Sequence, residues 1–310
     1  PGARISGRIG LSDGAFDSRS GTLAGQQLAA RGTFHLDTTA PDARMDFDGA
    51  LSGGQLLLGS LYAQLPKHSA TLQFSASAGA RGISIAALHY DDGDALDVDG
   101  KLDSDAQQDL TAFDFTRLDA RLPDAYTRYG SAWLATLGWK DLATAGRLSG
   151  SIGMAHGRPA HFALHARDVA VGDGAGRIAL SGLNGALDWN AQSARPATTL
   201  GWNSLALFGL PFGAAQLHFS NDAAGALALT APAQIPLLGG AFSLQQLTWR
   251  PAADRQDRLN ASFAVSDIDV AALCKRFGWP AFGGTLGGAV PALRYNGDDI
   301  LLDGGLSVHV

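Results

Sequence analysis

The sequence predicts a mainly β architecture, an elongated, curled antiparallel sheet forming a repeating β-groove, with two short α-helices. Three observations predict it. A strand motif recurs three times along the chain. Apolar and polar residues alternate at period two through most of what lies between the copies. Glycine reaches 40 of 310 residues while aromatics make up only 8%. So much glycine and so little aromatic bulk suits thin, repetitive packing better than one thick core.

The motif is clearest at Gly146-Arg147-Leu148-Ser149-Gly150-Ser151-Ile152-Gly153-Met154. Blurred copies read Ala3-Arg4-Ile5-Ser6-Gly7-Arg8-Ile9-Gly10-Leu11 and Gly284-Thr285-Leu286-Gly287-Gly288-Ala289-Val290-Pro291-Ala292. They stand roughly 140 residues apart, a period that marks a tandem array. Each is followed by a turn dipeptide, Asp13-Gly14, His156-Gly157 or Asn296-Gly297, so each is expected to enter a hairpin.

Helices are expected before the second and third copies. Asp124 to Leu137 is closed by Gly138-Trp139, and Asp267 to Phe277 by Gly278-Trp279. In the latter, Asp269 can cap the amides of the first turn, Lys275 and Arg276 sit at the negative end, and Gly278 supplies a left-handed stop.

The strands follow in order. Leu72 to Ala76, Ile83 to Ile85, Leu96 to Asp99 and Phe113 to Thr116 each set an apolar face against a polar one. Beyond the central copy, Phe162 to Leu164, Ile178 to Leu180 and Leu187 to Trp189 are separated by turns at Gly172-Asp173-Gly174 and Leu183-Asn184-Gly185. Then come Leu205 to Phe208, Leu217 to Phe219, Leu227 to Leu229, Phe242 to Leu244, Leu247 to Trp249 and Asn260 to Val265. Pro232 and Pro236 around Ile235 mark a strand entry or edge. Pro251 to Asp257 is the most polar loop. Some 16 strands at about 4.8 Å each would span about 75 Å. The array divides into residues 1–140, a first groove unit ending in a helix, and 141–310, a second with its helix near 267–277, within one continuous sheet.

Several chemistries are disfavoured. Lysine and arginine number 23 against 29 acids, a net charge of −6 without a basic stripe, so no nucleic-acid partner is expected. His161 and His165 share a strand face, but residues four apart on a strand stand about 13 Å apart, too far to build a zinc site with Asp168. Asp91-Asp92-Gly93-Asp94 with Asp97 and Asp99 reads as a turn and an acidic strand face, lacking the ligand spacing of a calcium loop. Gly172 to Gly176 reads as a hairpin turn rather than a phosphate cradle. Gly10-Leu11-Ser12-Asp13-Gly14 has the letters of a nucleophile elbow without a helix behind it. Cys274 is the only cysteine and reads as a buried thiol. The chain is therefore read as a non-enzyme, with no cofactor and no metal. It opens inside one motif copy and closes just after another, which reads as a piece of a longer protein whose anchor lies elsewhere.

Ile235-Pro236-Leu237-Leu238-Gly239-Gly240, the Asp267 to Phe277 helix, the third motif copy and Asp303-Gly304-Gly305-Leu306 together resemble the C-terminal part of the YdbH branch of the AsmA-like superfamily, which is related to TamB. The resemblance covers residues 231–310; the first 230 share only style. It implies a β-taco with an apolar inner groove, standing in the periplasm. The longer protein would be anchored to the inner membrane and would carry phospholipid between inner and outer membranes, with proteins of either membrane as partners at its ends.

The residues supply a physical reason for such a groove. Moving an acyl chain of about 16 carbons into water costs roughly 13 kcal/mol at about 0.8 kcal/mol per CH₂, and a continuous apolar trough removes most of that barrier. The candidate groove-lining residues that would take the acyl chains are Leu72, Phe74, Ile83, Ile85, Phe113, Phe115, Phe162, Leu164, Leu217, Phe219, Phe242, Leu244, Leu259, Ala261 and Phe263. Small residues such as Ala76, Ala87 and Ala228 would leave room for lipid, and Asp at Phe74, Phe162 or Phe219 would lower carriage while sparing the fold. The opposite reading is a self-filled β-sandwich or solenoid scaffold, structural or protein-binding, in which the same faces close on each other. An outer-membrane barrel is disfavoured because the aromatics form no girdles and helices interrupt the strands.

Overall fold

A computed structural model of the chain describes residues 2–18, 21, 23–58, 61–254, 258–295 and 300–309. It is 68% strand and 7% helix, with one large antiparallel sheet of 22 strands and two helices among the described residues. Two compact units are distinguished, Pro1–Leu142 with Gly146–Arg158, and Ala143–Ala145 with Pro159–Val310.

The first unit holds β1 (Arg4–Asp17), β2 (Leu23–Asp37), β3 (Ala43–Ser52), β4 (Gln55–Leu58), β5 (Leu61–Gln64), β6 (Ala70–Gly79), β7 (Gly82–Asp91), β8 (Leu96–Ser104), β9 (Leu110–Leu122) and β10 (Leu142–Ala155). Its pairing runs β1, β2, β3, β6, β7, β8, β9, β10, with the β4–β5 hairpin joined to the far end of β2. Between β9 and β10 the chain turns helical, through a π-turn at Tyr126–Gly130 into α1 (Ser131–Thr136).

The second unit holds β11 (Arg158–Asp173), β12 (Ile178–Asn190), β13 (Arg195–Trp202), β14 (Ser204–Leu207), β15 (Leu210–Phe212), β16 (Ala215–Asn221), β17 (Leu227–Leu229), β18 (Ala233–Leu237), β19 (Gly240–Trp249), β20 (Leu259–Asp269), α2 (Val270–Phe277), β21 (Thr285–Tyr295) and β22 (Ile300–His309). β12 pairs with β13 at one end and β14 at the other. The two tracks, β13–β16–β17 and β14–β15–β18, rejoin on β19, which leads on through β20 and β21 to β22.

The two helices stop in the same way. Gly138 and Gly278 adopt φ of 84° and 66°, which lets the following tryptophan amide turn back. Trp139 N–H donates to the Leu134 carbonyl and Trp279 N–H to that of Cys274, both at 2.9 Å. At its start α2 is capped by Asp269, which accepts from the amides of Ala271 and Ala272 at 2.8 and 3.1 Å. Val270 and Cys274, four apart, are its buried stripe. α2 begins at Val270 rather than Asp267, because Ile268 is held at 2% exposure opposite Leu286 and the strand runs on to deliver it.

The motif copies fall on β1, β10 and β21, with Ala3 and Gly284 just ahead of their strands. His156 and Gly157, with φ of 51° and 72°, make the tight turn between β10 and β11. Asp13-Gly14 is no turn: β1 continues through it, and Asp13 at φ 55° marks a bulge opposite β2. Asn296-Gly297 lies outside the described residues, as do residues 255–257 of the polar loop. Gly150 and Gly288 have φ of 142° and 148°, and a Cβ at Gly288 would meet the Gly305 carbonyl oxygen at 2.3 Å. Gly288→Ala is therefore expected to destabilise the second unit by more than about 1 kcal/mol, read by urea unfolding, whereas Gly305, with open space at its Cβ, should accept alanine with little change.

Two further expectations are corrected. Leu183-Asn184-Gly185 is not a turn, because Leu183 and Gly185 stay paired with Val169 and Ala166 in one long β12, the bulges being absorbed locally. Phe242 to Leu244 and Leu247 to Trp249 are likewise one strand, β19, with a register shift between Leu244 and Gln246.

Candidate functional site

In the first unit the cross-strand register assembles apolar residues into transverse rows. One row reads Ile5, Leu36, Met45, Ala76, Ile85, Leu102, Phe113, Met154, one residue from each of eight strands. The next reads Gly7, Phe34, Phe47, Phe74, Leu88, Gly100, Phe115, Ile152, with Phe47 and Phe74 stacked at 5.6 Å. A third runs from Ile9 through Leu72, Tyr90, Val98 and Leu118 to Gly150. A row of such bulk inside a core would be buried. In the first row no member is: Ile5 is exposed and the other seven are partly exposed.

The helical segment closes the other end of this face. Tyr126 and Ala125 are buried with Leu65, Ala70 and Ala95, and the Tyr129 hydroxyl meets that of Tyr90 at 2.7 Å. Beneath them lies Asp92, with no exposed surface. Its carboxylate accepts from the amides of Ala95 and Leu96, both at 2.7 Å, from the Tyr129 hydroxyl at 2.6 Å and from Arg128 at 3.0 Å. Burial pushes the Asp92 carboxyl up, but the Tyr129, Leu96, Ala95 and Arg128 hydrogen bonds outweigh it and hold it below the usual carboxylate range. Burial raises the Tyr90 hydroxyl to about 12 and pushes Tyr129 up as well, with Asp92 adding to the latter. Asp91 to Asp94 does form the turn that the sequence suggests; what it conceals is an ion-paired staple that fastens the helix to the sheet.

The opposite face of this unit is a polar ladder. Thr33, Asp48, Gln73, His89, Asp99 and Arg117 lie across successive strands, and Gln73 donates to Asp48 at 3.0 Å while His89 and Asp99 share a hydrogen bond at 2.7 Å. A concavity of about 810 Å³ opens here. Its walls include Asp48, Gln73, His89 and Lys101 of the polar ladder together with Phe34, Phe47, Phe74 and Leu88 of the second apolar row, and none of Leu36, Met45, Ile85 or Leu102 of the first. Donor atoms of His89, Asp97 and Asp99 lie within 4.8 Å of one another. Arg117 is ion-paired to both of those aspartates, so a cation already occupies the charge of that cluster.

In the second unit the apolar face meets itself. Phe162 on β11 stacks on Trp189 of β12 at 5.3 Å and touches Trp249 of β19 at 5.8 Å, although β11 and β19 are not sheet neighbours. Trp189 is fully buried and its indole N–H donates to the Gly225 carbonyl at 2.9 Å. Phe219 and Leu227 are buried as well. Further along, Phe242 stacks on Phe263 at 5.1 Å and meets Phe212 edge-on at 5.7 Å.

The candidate lining residues therefore all lie on apolar faces, in register with one another: Leu72, Phe74, Ile83, Ile85, Phe113 and Phe115 in the first unit, and Phe162, Leu164, Leu217, Phe219, Phe242, Leu244, Leu259, Ala261 and Phe263 in the second. Two of them are not open to a ligand. Phe162 and Phe219 are 8% and 6% exposed, so aspartate at either would cost the fold. Of the small residues, Ala76 is on the apolar face, but Ala87 and Ala228 are on the other. In β7 the bulge at Ala86 reverses the alternation, and Ala228 lies between the inward Leu227 and Leu229. Sequence reasoning did not single out Leu36, Met45, Leu102 or Met154, which only the register reveals as members of the open row.

No helix among the described residues is long and apolar enough to cross a membrane, which says nothing of strands. Comparisons with protein-family models, curated proteins and solved structures give no match to this chain.

Proposed function

We propose that the first unit presents a binding surface for lipid acyl chains, and that the chain works as a phospholipid-carrying module of the AsmA-like, YdbH type in the periplasm, between inner and outer membranes. The observation that carries this reading is the uncovered row from Ile5 to Met154, eight strands wide and nowhere buried. At about 4.8 Å per strand it extends over roughly 34 Å, longer than an extended chain of 16 carbons. A folded chain that leaves such a row open forgoes the stabilisation of burying it, about 25 cal/mol per Å², and an acyl chain seated there would recover it.

The self-filled scaffold is favoured by a specific observation in the second unit, the Phe162–Trp189–Trp249 cluster. At that cluster the apolar face fills itself, whereas Leu164, Leu217, Phe242, Leu244, Leu259, Ala261 and Phe263 are partly exposed. We assign lipid to the first unit because only there does a row with no buried member cross eight strands.

Ile85→Asp and Phe113→Asp each insert a carboxylate into the open row at a partly exposed position. Each is expected to lower the uptake of a fluorescent fatty acid by about tenfold while leaving the circular dichroism spectrum unchanged. Asp48→Ala, on the polar face, should leave uptake intact. Unchanged uptake in both row variants, or equal loss with Asp48→Ala, would count against the proposal.

A further inference from the structure

α2 ends in a group of exposed aromatic rings. Phe277 is stacked on Trp279 at 5.1 Å, and the two are 39% and 57% exposed. Beyond them the loop returns along the helix until the Gly284 carbonyl accepts from the Val270 N–H, and it carries Phe282 at 63% exposure. Arg276 Nε donates to the Gly209 carbonyl at 2.5 Å. This bond ties the helix end to the β14–β15 hairpin and brings in Phe208, 70% exposed at the hairpin tip. Both segments are flanked by strands paired on either side, β14 with β12 and β15, and β21 with β20 and β22.

Large rings left in water forgo the stabilisation of burial, and Phe208 is also held in a backbone conformation that suits it poorly. Phe208 and Gly209 have φ of 48° and 83°, the two-residue hairpin turn that Asn-Gly fills most readily. Local folding chemistry therefore does not account for a phenylalanine at this tip. The charge of the patch also runs against that of the chain. Residues 204–212 and 270–284 contain Lys275 and Arg276 and no acid, whereas the whole chain carries −6. Neither cation is ion-paired among the described residues.

We propose that this patch seats the second unit on the surface of an anionic lipid bilayer, the rings entering at headgroup depth while Lys275 and Arg276 meet lipid phosphates. Projecting aromatics with cations beside them match a boundary that is apolar beneath and negative above. A protein partner fits less well, because lysine is depleted from protein–protein interfaces. The inference does not depend on the acyl-chain reading, because no residue of the open row takes part.

Co-sedimentation of the 310-residue chain with vesicles tests it. The chain is expected to bind vesicles of phosphatidylcholine and phosphatidylglycerol in equal parts, more weakly as salt rises, and to bind phosphatidylcholine alone about tenfold less tightly. Phe208→Asn combined with Phe282→Ser should lower the affinity for mixed vesicles about tenfold. Phe208→Asn alone should keep or raise the urea midpoint, because Asn-Gly suits the turn. Lys275→Glu should weaken binding to mixed vesicles and leave binding to phosphatidylcholine unchanged. Ile85→Asp, in the open row, should bind vesicles as the parent does. A chain that ignores both kinds of vesicle overturns the proposal and leaves the patch to a protein partner. So does binding that survives the Phe208→Asn, Phe282→Ser pair but is lost in Ile85→Asp, which would assign the contact to the row.

Discussion

Asp92→Ala is expected to destabilise the first unit by about 3 to 5 kcal/mol, read by urea unfolding followed by circular dichroism. The change leaves the Arg128 guanidinium, the Tyr129 hydroxyl and the amides of Ala95 and Leu96 without the carboxylate that satisfies them, all against a residue with no exposed surface. Asp92→Asn keeps the shape and loses the charge, so it should cost less than the alanine change. The same network fixes a pH dependence. The folded carboxyl is held below its usual range, so its contribution is fully present above the unfolded value of about 3.9 and is lost as pH falls through the depressed folded value. Parent and Asp92→Asn chains should therefore differ in stability at neutral pH and converge in acid. A constant difference from neutral to strongly acidic pH would contradict the assignment.

Trp189→Ala should be as severe in the second unit, about 3 to 5 kcal/mol. It removes the largest fully buried side chain, the ring against which Phe162 stacks and the donor to the Gly225 carbonyl. Phe162→Leu should cost less, since much of the volume is retained. A loss below about 1 kcal/mol for Trp189→Ala would mean that the apolar face here is not closed, and that the second unit has room for a guest after all.

What was legible in the sequence was whatever depends on local chemistry. Period-two alternation in Leu72 to Ala76 and Phe113 to Thr116 identified both the strands and their inward faces, because a strand offers its side chains only two directions. Asp269, Lys275, Arg276 and Gly278 announced α2 because capping groups act within one turn of the helix they serve. Strand boundaries at glycine were less legible. Asp13-Gly14 and Leu183-Asn184-Gly185 carry turn chemistry, but the same positive φ serves a bulge when the partner strand is long enough to continue past it. The Ala86 bulge had the largest consequence for the site, since one extra residue in β7 sends Ala87 to the polar side and Leu88 and Tyr90 to the apolar one.

Long-range partners were the least legible. Nothing local to Asp92 announces Arg128 and Tyr129, which follow more than thirty positions later across two strands. Nothing local to Phe162 announces Trp249. That contact closes the apolar face around Phe162, which leaves it holding the fold rather than open to a ligand.

The most direct test of the lipid reading is native mass spectrometry of the purified chain followed by organic extraction. The expected result is a phospholipid or fatty acid in fixed ratio to protein, lost from Ile85→Asp and Phe113→Asp and retained by Asp48→Ala. An apoprotein that yields no lipid, and takes up none when offered, would contradict it.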